Sequence, residues 1–166
     1  MQTQEQAGHD ESSEEAPPGD ILAPSPLLTL GAFLVGVGID QVVPVGLFLP
    51  GSGAFLLGVP LILVGSLFFG GAIWTMQTHD KPPAHSDEPP TLITDGPFQY
   101  SRNPIYVGHS LVHVGGSVLL NSVWPIVTLL PLLWYLRRVV QREEARLESL
   151  FGPAYDQYRD DVRRWL

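Results

Sequence analysis

The sequence contains no cysteine, and it has few charged residues. Without cysteine the chain cannot form a disulfide, a thiolate nucleophile, a zinc–cysteine site or an iron–sulfur cluster. Charged side chains make up 16% of the 166 residues, against roughly a quarter in a soluble domain. The charge is also unevenly distributed, because residues 1–20 hold six of the 17 acids and no Lys or Arg. We therefore predict that residues 1–25 form a disordered acidic tail.

Long apolar runs take the place of charge in the rest of the chain. Residues 54–76 contain no charged side chain, and they are long enough to cross a bilayer core, which needs about 20 residues. Three other apolar segments predict further spans at about 26–44, 104–120 and 123–140. The chain therefore reads as an all-α membrane protein rather than a soluble domain.

Turn and helix-stop residues separate these runs. The Pro-Gly-Ser-Gly sequence at 50–53 and the Asn-Ser pair at 121–122 predict turns. A proline-rich polar loop is predicted at 77–103. We expect the fourth span to continue into a charged helix that ends near Leu150, because the Gly-Pro pair at 152–153 is a strong stop signal.

The positions of the basic residues predict the orientation. All nine Lys and Arg residues lie in the 77–103 loop or after residue 136. With four spans these two regions are on one side of the membrane, and the positive-inside rule makes that side cytoplasmic. We thus predict a membrane domain at 26–166, with about four transmembrane helices and a cytoplasmic segment at 141–166. It would lie in the inner or plasma membrane with both termini cytoplasmic.

Residues 95–108, DGPFQYSRNPIYVG, form an irregular stretch at the predicted membrane boundary. Such backbone is tolerated where it is buried in protein or lines a wet cavity. Asn103 precedes a proline and should be extended, and Pro104 suits the first turn of a helix whose N-terminus attracts anions. Glu143, on the charged helix, could hold a cation or a hydroxyl group. These residues predict a small-molecule site, with a helix cap and surface ion pairs as the alternative.

Two histidines and one acid are the other polar candidates in the apolar segments. His109 and His113 are four residues apart, which places them on one helix face as in helical metal sites. No third ligand accompanies them, so we predict no metal and favour helix–helix hydrogen bonding at the neighbouring glycines. Asp40 is interpreted as a structural residue rather than a proton relay.

Two motifs resemble a known family. GPFQYSRNPIYVG, followed by REEARLESLFGPAYDQYRDDVRRWL after a short apolar hairpin, is similar to the isoprenylcysteine carboxyl methyltransferase family, which shares this pattern with bacterial phospholipid methyltransferases. The likeness covers residues 74–166 closely and the first two spans loosely. Either motif alone is weak, whereas the pair is specific.

The resemblance implies an integral membrane enzyme that uses S-adenosylmethionine in a pocket unrelated to the Rossmann fold. Pro90, Thr91, Leu92 and Ile93 would supply backbone contacts, Phe98 would pack on the cofactor, Asn103, Pro104, Ile105 and Tyr106 would line the pocket, and Glu143 would hold the cofactor, with support from Arg102 and Glu144. The catalytic residues are left open, with His109, His113 and Arg138 as candidates.

The chain departs from the family pattern at two positions. Many members have His where this chain has Asn103, and Asn cannot titrate near neutral pH. The eukaryotic prenylcysteine enzymes have Arg one turn before the cofactor-binding Glu, where this chain has Val139, with Arg138 and Arg142 nearby. These differences argue against a prenylated-protein substrate.

The sequence thus predicts methyl transfer to a lipophilic or small acceptor, which could be a carboxylate, a thiol or an amine. The alternative is a non-catalytic membrane scaffold or lipid-binding protein. The expected partners are the lipid bilayer and the methyl acceptor, with no nucleic acid. The oligomeric state is left open.

Overall fold

The described part of the chain is all-helical. The computed structural model describes residues 25–79 and 91–166. It contains α1 (Ser25–Val42), α2 (Gly51–His79), α3 (Pro104–Leu119), α4 (Trp124–Phe151) and α5 (Pro153–Asp161), with a 3-10 turn at Gly96–Gln99. The predicted all-α class is confirmed. The prediction of a disordered tail falls, apart from Ser25, on residues outside those described.

Helix α3 is the centre of the bundle. It packs most extensively on α2 and also contacts α1 and α4, while α1 packs along α4. A cluster of buried leucines on α4, namely Leu129, Leu132 and Leu136, forms the apolar core together with partly buried side chains of α1 and α3. The first turn of α3 carries the end of the motif at residues 95–108, so the position of this helix determines where the motif lies.

The fully buried residues of α2 are all small. Its buried residues are Ala54, Gly58, Gly65, Ala72 and Thr75. Its large apolar side chains point outward instead: Leu56, Leu67 and Trp74 are 71%, 73% and 71% exposed. Small residues at the interface let helix backbones approach closely, as they do in membrane bundles.

The tightest approach between α2 and α3 occurs at a pair of glycines. A Cβ atom added to Gly108 would lie 2.6 Å from the carbonyl oxygen of Gly65 and 2.7 Å from the backbone nitrogen of Phe69. Neither atom belongs to a side chain that could rotate away. The two helices can therefore adopt this separation only with glycine at position 108.

Helix α2 is also the one helix in residues 25–79 and 91–166 that is both long and apolar enough to cross a membrane. Helix α1 is apolar but shorter. A contiguous surface of large apolar side chains is unusual on a soluble monomer. The exposed faces of α1 and α2 are therefore typical of surfaces that contact lipid.

The loop before α2 is joined to the turn between α3 and α4. The backbone N–H of Leu47 donates to the Asn121 carbonyl at 3.1 Å, and that of Leu49 donates to Asn121 Oδ1 at 3.2 Å. Ser122 Oγ donates to Asp40 Oδ1 at 2.7 Å. Asp40 thus fastens the end of α1 to this turn, which supports its structural interpretation.

Two stop signals had different outcomes. The turn predicted at 50–53 is wrong, because α2 begins at Gly51 and the N–H of Ala54 already donates to the Pro50 carbonyl at 2.9 Å. The stop at Gly152 is confirmed: this residue has φ 50°, which glycine adopts readily. It separates α4 from α5.

Candidate active site

A cavity of about 660 Å³ opens at the end of the bundle where α3 begins. This volume lies within the range of about 300–1,000 Å³ that is usual for ligand pockets. The start of α3, the second half of α4, the Tyr side chains of α5 and the segment before α3 form its walls. The lining residues are Met76, Thr91, Leu92, Ile93, Phe98, Arg102, Asn103, Pro104, Ile105, Tyr106, Glu143, Glu144, Arg146, Leu147, Leu150, Phe151, Tyr155 and Tyr158.

The lining of the cavity brings together the motif at residues 95–108 and the charged helix around Glu143, which are about 40 residues apart in the sequence. All the cofactor-site residues named from the sequence line the cavity, from Thr91 to Glu143, except Pro90, which lies outside the described residues. Arg102 and Glu144 line it as well. Their roles toward a cofactor stay predictions.

Glu143 presents its carboxylate to the cavity. The Tyr106 hydroxyl donates to Glu143 Oε2 at 3.3 Å. Partial burial raises the pKa of Glu143, and this effect outweighs the opposing ones of the Tyr106 hydrogen bond and the nearby Arg146. Glu143 is exposed and lines the cavity, and it forms no ion pair among the residues that the structure describes. A carboxylate in this position favours a ligand that brings a positive charge or hydroxyl donors.

The neighbouring Glu144 is neutralised by the protein itself. Arg164 donates to both of its oxygens, through Nε at 3.1 and 3.0 Å and through Nη2 at 2.6 Å. Arg102 Nη2 lies 3.4 Å from Glu144 Oε1, and the Arg102 and Glu144 side chains are only 9% and 11% exposed. Of the two adjacent acids, Glu144 is paired with two arginines, whereas Glu143 forms no ion pair among the described residues.

Asn103 is held by the segment that follows α5. Its φ and ψ are −133° and 55°, so the residue is non-helical as predicted but not fully extended. Its Nδ2 group donates to the Arg164 carbonyl at 3.1 Å, and its backbone N–H donates to Ser101 Oγ at 3.1 Å. Contact between this side chain and a ligand would be made through Oδ1 or the second hydrogen on Nδ2.

Tyr155 and Tyr158 of α5 line the cavity together with the segment that precedes α3. The Tyr158 hydroxyl donates to the Phe98 carbonyl at 2.8 Å and so holds the 3-10 turn in place. Burial, together with the neighbouring Tyr155, raises the pKa of Tyr158 to about 12. Burial raises the pKa of Tyr155 too. Both hydroxyls are therefore protonated at neutral pH and cannot act as bases there.

The histidine candidates lie away from the cavity wall. His113 Nε2 donates to the Pro125 carbonyl of α4 at 2.8 Å, and its ring meets Phe33 of α1 edge-on. The His109 ring packs on Phe69 of α2, with 4.4 Å between centroids. Among the residues described, no group of three His, Asp or Glu side chains could hold a metal ion. These contacts favour the packing interpretation.

Arg138 does not line the cavity either. Its guanidinium group stacks over Trp134 at 3.9 Å from the ring centroid, and the Trp134 side chain is 60% exposed. Cation–π pairs of this kind suit the boundary between lipid and headgroups.

Sequence reasoning missed several residues of the wall. Leu147, Leu150 and Phe151 follow Glu143 at helical spacing on α4, and extending that periodicity would have found them. Tyr155, Tyr158 and Arg164 reach the site through the folding of α5 back onto the motif. No local sequence pattern predicts contacts between residues so far apart in the chain.

Comparison of the sequence with known proteins found a matching family and a relative. A model of the phospholipid methyltransferase family matches residues 54–154, from α2 to the start of α5. The Protein-S-isoprenylcysteine O-methyltransferase of Schizosaccharomyces pombe is 38% identical over 72 residues, which are 43% of this chain and 30% of that protein. The chain thus matches less than a third of the length of this curated relative. With more than half of its residues matched by the family model, the chain belongs to the phospholipid methyltransferase family.

Proposed function

We propose that the protein is an integral membrane methyltransferase that binds S-adenosylmethionine in the cavity at the start of α3. Membership of a methyltransferase family supports this activity. The observation that carries the proposal is the contrast between the paired acids: Glu144 is neutralised by arginines, whereas Glu143 faces the cavity with a raised pKa. The Glu143 carboxylate therefore favours a ligand with cationic or hydroxyl groups.

The residues of the wall fit such a cofactor chemically. Glu143 would hold its ammonium group or its ribose hydroxyls, and the first turn of α3 would favour its carboxylate, since helix N-termini attract anions. Leu92, Ile93 and Phe98 provide apolar surface for the base. The cofactor, when bound, supplies an electrophilic methyl group.

The task of the chain would be to position the reactants and exclude water. The described wall contains no histidine, and burial raises the pKa of both of its α5 tyrosines. A thiol or an amine has to lose a proton before it is methylated, whereas a carboxylate does not. The wall therefore favours a carboxylate acceptor, or one that arrives deprotonated.

An apolar acceptor would enter from the side of the bundle. Helices α2 and α4 pack on α3 from different sides and make no extensive contact with each other in the described residues. Met76 of α2 and Leu147 of α4 both line the cavity. The space between these two helices offers a path from lipid to the cavity.

We further propose that α1 to α4 all cross the membrane. The exposed apolar faces of α1, α2 and α4 support this. Helix α3 has 16 residues, about 24 Å at the helical rise, which is shorter than a hydrocarbon core of about 30 Å. Its central position shields it from lipid, so its short length requires at most local thinning of the bilayer.

This topology predicts which side of the membrane each helix end faces. Because the chain lacks cysteine, single-cysteine variants can be labelled without removing native thiols. Ser149→Cys, near the cavity, should react with a membrane-impermeant maleimide only from the cytoplasmic side. Ser52→Cys, at the start of α2, should react only from the opposite side. Labelling of both variants from one side would contradict the arrangement.

Transfer of a radiolabelled methyl group tests the proposed activity. Membranes that contain the protein are incubated with S-adenosylmethionine tritiated in the methyl group, and the labelled product is isolated. A methyl ester releases its label as methanol on mild alkaline treatment, whereas an N-methylated lipid retains it. We expect alkali-labile label, and clearly less of it with Glu143→Gln at the same cofactor concentration. Cofactor binding without any labelled product would favour the non-catalytic scaffold instead.

A further inference from the structure

We propose that Arg164 is a positioning residue for the cofactor site. Residues 162–166 follow α5 and return to the start of α3, where they fasten the loop that precedes this helix. Arg164 itself does not line the cavity, so its effect on a ligand is indirect. The inference deepens the proposed function and rests on cofactor binding in this cavity.

The backbone of this segment receives three hydrogen bonds from consecutive residues. The Arg102 N–H donates to the Arg163 carbonyl at 3.0 Å. Ser101 Oγ and Asn103 Nδ2 both donate to the Arg164 carbonyl, at 3.3 and 3.1 Å. Ser101 and Asn103 are buried, with 0% and 8% exposure. Their polar groups have few other partners within reach, and losing these bonds would leave them unsatisfied.

The side chain of Arg164 fixes the other wall. Its guanidinium group donates hydrogen bonds to both oxygens of Glu144 on α4, at distances down to 2.6 Å. Glu144 lines the cavity and directly follows Glu143. Arg164 therefore connects the loop that carries Asn103 to the helix that carries Glu143, through its carbonyl on one side and its guanidinium on the other.

This double connection sets the separation between the two walls. Arg102 also reaches Glu144, but at 3.4 Å and through a single nitrogen. Without Arg164 the Glu144 carboxylate would keep only this weaker partner, and the segment 162–166 would lose its fastening to α4. The loop at 101–103 would then be free to shift relative to Glu143. Cofactor affinity should fall although no ligand contact has been removed.

Three variants test this role: Arg164→Ala, Arg164→Lys and, as a control, Arg137→Ala, which removes an exposed arginine of α4 that does not line the cavity. Hydrogen exchange of residues 98–106 reports the fastening of the loop without any cofactor. Titration with S-adenosylmethionine in nanodiscs reports affinity, and thermal unfolding reports overall stability. A purely structural role would lower stability and leave the affinity of the folded fraction unchanged.

We expect Arg164→Ala to speed exchange in residues 98–106 and to raise the Kd at least about tenfold, the scale of a lost charged hydrogen bond. Arg164→Lys should be intermediate, since an ammonium cannot replace the fork, and Arg137→Ala should match the unsubstituted chain. Unchanged exchange and affinity in Arg164→Ala would overturn the proposal. If Arg164→Ala does not fold, Arg164→Lys decides, and exchange equal to that of the unsubstituted chain would overturn it.

The two proposals fail differently. If the unsubstituted chain binds no cofactor, the proposed function is wrong, while the exchange measurement still decides whether Arg164 fastens the loop. If the chain binds the cofactor and Arg164→Ala binds it equally well, only the positioning role is wrong.

Discussion

Replacing Glu143 with Gln is expected to lower the affinity for S-adenosylmethionine by roughly tenfold to more than a hundredfold, the range for a lost hydrogen bond to a charged group. The substitution preserves the shape of the side chain and its acceptor for the Tyr106 hydroxyl. It removes the negative charge that Glu144 cannot supply, because arginines already neutralise Glu144. Isothermal titration in nanodiscs measures the change.

The pH dependence of binding identifies the charge as the cause. Burial raises the pKa of Glu143 above the ordinary value of 4.5. As the pH falls through this raised pKa, the carboxylate is protonated and a cationic ligand loses its partner. Affinity of the unsubstituted chain should therefore decline toward acidic pH, and the step assigned to Glu143 should be missing in Glu143→Gln.

The same pKa shift has an opposite consequence for the stability of the free protein. A carboxyl group whose pKa is raised by folding holds its proton more tightly in the folded state, so stability falls as the pH rises from the unfolded to the folded pKa. Above that interval the folded protein carries a charge that its surroundings stabilise less well than water does. Glu143→Gln should thus unfold at a slightly higher temperature near neutral pH while it binds the cofactor less well.

Glu148→Gln is the matched control for this substitution. Glu148 lies on the same helix, is exposed, and pairs with Arg159 outside the cavity. It should change neither the affinity nor its pH dependence. Equal affinity of Glu143→Gln and Glu148→Gln would mean that Glu143 does not contact the cofactor.

Gly108→Ala is expected to destabilise the bundle strongly. The new methyl group would lie 2.6 Å from the Gly65 carbonyl oxygen and 2.7 Å from the Phe69 nitrogen. Overpacking of a core usually costs about 1–3 kcal/mol. We expect the upper end of this range, since two backbones rather than two side chains must separate. The free energy of unfolding in detergent micelles gives the measurement.

Gly70→Ala provides the comparison. Gly70 is on α2 as well, but a Cβ atom there meets nothing within 4 Å, and alanine is a better helix former than glycine. Its stability should match or exceed that of the unsubstituted chain. If Gly108→Ala proves as stable as Gly70→Ala, α2 and α3 do not approach each other as closely at Gly65 as the structure has them.

Local sequence patterns predict the helices well, because each signal acts over a few residues. Pro104 begins α3 and Gly152 ends α4, as their backbone preferences require. The error at residues 50–53 has the same origin. Two glycines next to a proline are typical of a turn, yet glycine is tolerated in the first turn of a helix, and α2 begins there.

Local patterns are less informative about which neighbour a side chain meets. His109 and His113 share a helix face, but a spacing of four residues still rotates them by about 40° relative to each other at 3.6 residues per turn. On a central helix with three neighbours this is enough for His109 to face α2 while His113 faces α1 and α4.

In the candidate site, too, local patterns predict some residues and long-range contacts determine the others. Asn103, Pro104 and Glu143 were predicted from the residues themselves and the rest of the site through a family resemblance, and the structure brings these residues together. The pairing of Glu144 with Arg164 could not be predicted, since the two residues are 20 positions apart in the sequence. The bond between Asn103 and the Arg164 carbonyl spans 61 residues. Such contacts arise only once α5 has folded back onto the start of α3.

Cofactor binding to the unsubstituted protein is the most direct test of the central claim. S-adenosylmethionine is titrated into the purified chain in nanodiscs, and hydrogen exchange is followed with and without the cofactor. We predict saturable binding at one site, competition by S-adenosylhomocysteine, and protection confined to residues 91–106 and the part of α4 around Glu143. No binding, or binding with protection elsewhere in the chain, would contradict the assignment of this cavity as the cofactor site.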